Sequence, residues 1–403
     1  MKLLLQNKNY MYLLWGYTFS ILVDSIVFMM CLKIVEVLSN NTTSYTFLYI
    51  FHYIPAVLFS LWIGAWINSK KLEKVMITSL IVRIAILLTF LFADGLNNLS
   101  MVYLFIFIES FISIFFFPST DTLVTKIVNK EQRLMANGFI KLLYVLMQGM
   151  GFGISTILIK MNISLVFILG ICLIALVIAT FFISKINKHY EITLQKQNIV
   201  KEVLDTMRYL QQHKLTSKIF ILFAIAWLVA SSIDLIVISY LTNVSKVSSD
   251  NFGIVAIIVF VGMILGAHLS SYLYDKINVK YIFSFPLLVY SVTVLSMYFF
   301  QQWTYTLPFF LLGGFSLGFF EVCFTTFLQD YNDEQYYTRI FSFQNMILSS
   351  MPLPGMLFLG VFIEWSGIKL TIIIVSFLLF VVSIFAYLTN YKQVNDQEIK
   401  DIV

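Results

Sequence analysis

The sequence predicts an all-α integral membrane protein of twelve transmembrane helices, arranged as two pseudo-symmetric six-helix bundles. Three observations predict it: a succession of long apolar segments, an alternation of basic charge between their connections, and landmarks that recur from one half to the other. Of the 403 residues, 60% are hydrophobic and 12% charged, against roughly 45–50% and 25% in soluble domains. A helix crosses a hydrocarbon core of about 30 Å with about 20 apolar residues. Counted that way, the spans lie at 10–36, 45–67, 75–93, 99–120, 135–158, 163–184, 217–241, 251–272, 281–300, 305–328, 338–362 and 368–390.

The 26 Lys and Arg residues fall at the termini or on even-numbered connections, with six exceptions that can be named. Lys33, Arg83 and Lys141 lie inside spans; Lys160, Lys246 and Lys369 lie on odd-numbered connections. Basic residues stay on the cytoplasmic side, so both termini are expected there, in a multi-pass protein of the cell (plasma) membrane. The net charge of +5 is then a topology signal; the lipid bilayer is the expected surrounding and nucleic acid is not an expected partner. Cys31, Cys172 and Cys323 sit within spans, far apart, which excludes a disulfide framework and offers no metal-ligand spacing. The first apolar run is too long for a cleavable signal and lacks a small-residue cleavage site. No Gly-x-x-x-x-Gly-Lys-Ser/Thr nucleotide loop occurs, and no cofactor is implied.

The longest polar stretch divides the chain into a bundle at 1–184, a cytoplasmic linker at 185–216 and a second bundle at 217–403. Within the linker, Val200, Val203, Leu204, Met207 and Leu210 recur at helical spacing, which predicts an amphipathic surface helix. The halves echo each other. Asp24 in Asp24–Ser25–Ile26–Val27 matches Asp234 in Asp234–Leu235–Ile236–Val237, and Glu109 of span four matches Glu321 of span ten. Gly64 and Asn68 match Ser271 and Asp275, and Glu131–Gln132 match Glu334–Gln335. Landmarks at nearly constant separation on equivalent elements indicate an internal duplication. Halves related by an axis along the membrane normal are the architecture of two-bundle secondary transporters.

A charge near the bilayer centre costs at least about 2.5–3.5 kcal/mol, so it faces a partner or a water-filled cavity. Asp24, Glu109, Asp234 and Glu321 lie well inside their spans, and Arg83 is the only deep guanidinium. These five are the candidates for proton coupling or substrate binding; a static Arg83–carboxylate pair that only fixes helix packing is the competing reading. Lys33 and Glu36, near the outer end of span one, read as a surface pair reaching water. His52 and His268 fall in opposite leaflets and read as packed histidines, so no metal site is expected. Span five carries Gly149, Gly151 and Gly153, and the aligned part of span eleven carries Pro352 and Pro354. Glycine permits close helix approach and proline removes a ladder hydrogen bond, so both helices are expected to be weakened at matching heights, as hinges.

After span two stands Gly64–Ala65–Trp66–Ile67–Asn68–Ser69–Lys70–Lys71, and after span eight Ser271–Tyr272–Leu273–Tyr274–Asp275–Lys276. Here the chain resembles the major facilitator superfamily, whose signature at this loop is Gly-x-x-x-Asp-Arg/Lys-x-Gly-Arg-Arg/Lys. Asn68 replaces the Asp, Lys71 stands where the second Gly is expected, and the second copy begins with Ser271. In that family the Asp latches the inner gate, a role the resemblance passes to Asp275 with Lys276 and weakens at Asn68 with Lys70 and Lys71. Within the superfamily the chain looks most like the macrolide-efflux-type exporters, through Trp15–Gly16 with Asp24, Arg83, Pro118, Glu131–Gln132 and Ala136–Asn137. Glu109 stands where many of those exporters carry an arginine associated with proton transfer, which implies a different coupling arrangement or a cationic or zwitterionic substrate.

The resemblance implies a secondary active transporter, functional as a monomer, that exports a drug-type small organic molecule in exchange for protons by alternating access. Export of an endogenous amino-acid-derived metallophore of the opine type is the second reading, since intramembrane carboxylates suit amines on either cargo. A polytopic membrane enzyme is the alternative from another class; it requires a catalytic cluster at one depth, and none stands out.

Overall fold

The computed structural model describes residues 4, 6–39, 41–67, 70–92, 97–129, 132–187, 208–332 and 337–389, and among these every regular element is helical. The first six spans are α1 (Lys8–Leu38), α2 (Thr42–Ile67), α3 (Leu72–Phe92), α4 (Leu99–Ile127), α5 (Arg133–Lys160) and α6 (Leu165–Ser184). Span seven is α7 (Lys214–Ala230), then α8 (Ile233–Ser239) and a π turn at Tyr240–Val244. A 3-10 turn at Ser249–Asn251 leads into α9 (Phe252–Leu273), followed by α10 (Val279–Phe299) and α11 (Leu307–Asp330). Span eleven is α12 (Tyr337–Ser350) plus α13 (Pro352–Ser366), and span twelve is α14 (Ile368–Leu388). Ten described stretches are long and apolar enough to cross a membrane, and α1 and α2, with 31 and 26 residues, also have the length.

Between the apolar runs, short polar residues start the helices. Asn7 accepts from Tyr10 N, Asn98 from Ser100 N and Met101 N, Ser164 from Phe167 N, and Asn278 from Lys280 N. Each satisfies first-turn donors that have no partner within the helix. Gly367, at φ 79°, separates α13 from α14 in a backbone region that suits a residue without Cβ.

The chain forms two compact units, Met1–Gln197 with Ser248–Ile257, and Asn198–Val247 with Ile258–Val403. In the first, α1 packs against α4, α5 and α6, while α4 also supports α2 and α3. In the second, α10 packs against α11 and α14, and α7 against α12, α13 and α14. Phe220, Phe223, Phe283, Phe324 and Phe327 form the buried core of that unit, with Phe223 and Phe324 stacked at 3.9 Å. The amphipathic helix expected over Val200–Leu210 lies outside the described residues as far as 207. Tyr209 and Leu210, at its end, are buried in this core, and the Tyr209 hydroxyl donates to Asn332 Oδ1 at 3.1 Å.

The two expected hinges differ in form. α5 runs unbroken through Gly149, Gly151 and Gly153, whereas span eleven breaks at Met351, just before Pro352 and Pro354. Glycine keeps its N–H and so keeps the helical ladder; proline does not. Gly151 brings α5 against α1, because a Cβ there would lie 2.6 Å from Ser25 Cβ and 3.1 Å from the Leu22 carbonyl oxygen, while Gly153 faces Ile257. Gly355 of α13 meets Ser232 and the Leu228 carbonyl of span seven in the same manner. This matched contact pairs Ser25 with Ser232. Asp234 therefore stands three positions beyond the equivalent of Asp24, after a break at Ser231–Ser232.

Candidate functional site

In the first unit, α1, α3 and α4 bring Asp24, Arg83 and Glu109 together. Arg83 is fully buried (0% exposed), Glu109 is 5% and Asp24 23% exposed. The guanidinium spreads its donors over three acceptors. Nε donates to Glu109 Oε1 at 2.7 Å, Nη1 to Ser20 Oγ at 2.7 Å, and Nη2 to Asp24 Oδ1. Ser20 precedes Asp24 by one helical turn, so both reach the same face of α1. A planar fork of donors suits this arrangement better than a lysine ammonium would. Asp24 Oδ2 and Glu109 Oε2 are buried and, among the described residues, have no hydrogen-bond partner. Two carboxyls thus share one cation, and one oxygen of each is left over. Sequence reading missed Ser20; its only signal was the four-residue spacing from Asp24.

The second unit is built differently. α3 and α10 each have 21 residues, with Arg83 twelfth in the first and Tyr290 twelfth in the second. The Tyr290 hydroxyl is buried with no hydrogen-bond partner among the described residues. It borders a cavity of about 20 Å³ together with Trp227, Phe320 and Glu321, room for about one water. Asp234, half-buried on the first turn of α8, is near enough to act electrostatically on Tyr290. Where the first unit has a guanidinium, the second thus has a phenol, which lines this cavity with Glu321.

The described lysines of the inter-span turns make other contacts. The Lys70 amino group sits over the Trp66 ring at 5.3 Å, and Lys276 over Tyr272 at 4.7 Å, so the two inter-span turns repeat one stacking arrangement. Lys71 is exposed and Gly64 lies within α2. Asn68 and the side chain of Asp275, on which the latch expectation rests, lie outside the described residues. His52 Nδ1 is paired with Ser110 Oγ at 2.8 Å and packs on Phe28.

Lys33 and Glu36 are not a free surface pair. Their 2.8 Å ion pair is covered by Ser248–Asp250, which the fold brings back onto the first unit. Lys33 Nζ donates to Ser248 Oγ at 2.5 Å and lies 3.6 Å from Asp250, while Ser248 and Ser249 donate to Glu36 at 3.0 and 2.8 Å. Thr156 Oγ1 donates to the Asp250 carbonyl at 2.8 Å, and Lys160 Nζ to Asn251 Oδ1 at 2.7 Å. Partners more than 200 residues away carry no local sequence signal.

Solved structures share this fold at low sequence identity. The nucleoside transporter NupG aligns at a TM-score of 0.73 with 12% identity, over 94% of this chain and 98% of that one. A bacterial homolog of the human lysosomal transporter Spinster, in an inward-facing and unoccupied conformation, aligns at 0.71 with 12% identity, over 94% and 96%. No curated protein matches by sequence. Residues 13–244 and 219–400 each match the Major Facilitator Superfamily. Duplicated spans, their shared fold and this match lead to one conclusion: the chain is a multi-pass membrane protein that belongs to the Major Facilitator Superfamily, a transporter and not an enzyme.

Proposed function

We propose that this transporter is a proton-coupled exporter of a small, drug-type organic molecule in the cell membrane, with both termini cytoplasmic, working by alternating access as a monomer. The observation that carries this reading is the pairing of one buried guanidinium with two buried carboxyls. Charge balance in a low-dielectric site favours one proton on the pair. Asp24 is the more exposed acid and Glu109 the more enclosed, so Asp24 exchanges the proton while Glu109 holds Arg83 in place. Movement of Arg83 toward either acid releases or admits that proton. The resemblance to macrolide-efflux-type exporters supports the direction and the cargo class.

The test is substrate flux in everted membrane vesicles with an imposed proton gradient. Asp24→Asn is expected to abolish uphill transport, while exchange without a gradient persists, because a permanently neutral site still permits alternating access. Glu109→Gln is expected to reduce both activities, since it loosens Arg83. Gradient-driven export by Asp24→Asn at the rate of the unaltered protein would remove the coupling role from this cluster.

A further inference from the structure

A trough of about 500 Å³ opens at the end of the first unit bordered by the turn between α2 and α3. Its rim carries Lys70, Lys71 and Lys74, all exposed. Its walls are Val75 and Val82 of α3 with Ile112 and Phe115 of α4. The one buried hydroxyl in the α3 wall, Ser79, is already satisfied by the Met76 carbonyl at 2.8 Å. Thr78, exposed on the same wall, adds one hydroxyl; otherwise the trough below the rim is apolar. Glu73, on the first turn of α3, offsets part of the charge without cancelling three ammonium groups.

The dimensions match a particular kind of molecule. From Lys71 to Val82 the helix rises about 16 Å at 1.5 Å per residue, close to half of a hydrocarbon core of about 30 Å. The trough is thus one leaflet deep, cationic at the headgroup level and apolar along the chain level. Trp66, half-exposed beneath the Lys70 amino group, lies at the boundary where amphipathic rings gather. A free phosphate would use the rim and leave the depth empty; an uncharged lipid would use the depth and leave the lysines without an anion.

We propose that this trough is a binding site for an anionic phospholipid of the bordering leaflet, its headgroup phosphate held by Lys70, Lys71 and Lys74 and one acyl chain laid along Val75, Val82, Ile112 and Phe115. Clustered lysines at the membrane surface each strengthen binding of anionic lipid several-fold. The site is separate from the Asp24–Arg83–Glu109 cluster, and the fully buried Arg83 does not line it.

The test is native mass spectrometry of the full-length protein in neutral detergent. The probes are dioleoyl phosphatidylglycerol, dioleoyl phosphatidylcholine and soluble glycerol 3-phosphate. Retention of phosphatidylglycerol over phosphatidylcholine by about tenfold is expected, with glycerol 3-phosphate failing to displace it at equal concentration. The triple variant K70Q/K71Q/K74Q, altered only at exposed positions, is expected to lose that preference. The control K276Q/K280Q, which removes the two lysines of the equivalent turn of the second unit, is expected to keep it. Undiminished preference in the triple variant, equal loss in the control, or displacement by glycerol 3-phosphate would each overturn the proposal, the last by showing an anion site without a chain site.

Discussion

Spans two and four of the first unit and spans eight and ten of the second are the same helix pair in two copies, yet they pack by opposite means. α2 meets α4 through rings: Phe51 stacks on Tyr103 at 5.5 Å, Phe59 meets Phe111 edge-on at 5.2 Å, and Trp66 meets Phe115 at 5.8 Å. α9 meets α11 through absent side chains. Gly262 and Gly266 on one helix, and Gly314 and Gly318 on the other, interlock so that a Cβ on any of them would strike backbone of the partner helix. Each pair has the small-x-x-x-small spacing that lets membrane helices approach closely. The equivalent helix pairs thus meet through large rings in one unit and bare backbone in the other.

The charged clusters follow the same rule. At one equivalent position of α3 and α10 stand Arg83, bonded to three side chains, and Tyr290, whose hydroxyl has no hydrogen-bond partner among the described residues. One half built an ion cluster and the other a small cavity at corresponding depth. The proposed coupling role therefore rests on the first unit, where the ion cluster lies.

Removing the cation gives the largest expected effect. Arg83→Ala leaves two buried carboxyls without a counter-ion and is expected to cost about 3–5 kcal/mol, read as a lower melting temperature and less folded protein recovered from membranes. A melting temperature within a degree of the unaltered protein would show that the acids do not depend on Arg83.

The packing contrast is next in size. Gly314→Leu drives a side chain into the Val259 backbone, and overpacking of this kind costs about 1–3 kcal/mol or more. Phe51→Leu, in the ring-packed pair, keeps an apolar side chain of similar reach and is expected to cost less. Comparative thermal melts of the two purified variants sharpen the contrast; equal losses would break it.

The smallest effect is expected at Tyr290→Phe. Its hydroxyl is buried without a hydrogen-bond partner among the described residues, so deletion removes a desolvated group and is expected to change stability by less than about 1 kcal/mol in either direction. A loss as large as that of Arg83→Ala would mean that the second unit holds a polar cluster as demanding as the first.

Much of this molecule was legible from residues alone. The spans follow from apolar length against bilayer thickness, whereas caps such as Asn98 and Ser164 were identified in the structure. That Asp24, Arg83 and Glu109 share a depth follows from counting along helices of constant rise. Counting along one helix says nothing, however, about which way it turns toward its neighbours. Only the packed chain decides that Ser20 completes the Arg83 shell, that Ser248–Asp250 returns to cover Lys33 and Glu36, and that four glycines interlock two helices. The Ser231–Ser232 break likewise moves Asp234 off the register that the chain repeat suggests. Hydrophobic length and charge act along the chain and against a uniform slab of lipid, so the sequence by itself determines them. Rotation, close approach and helix breaks depend on atoms brought together from distant segments, and tertiary structure alone decides those.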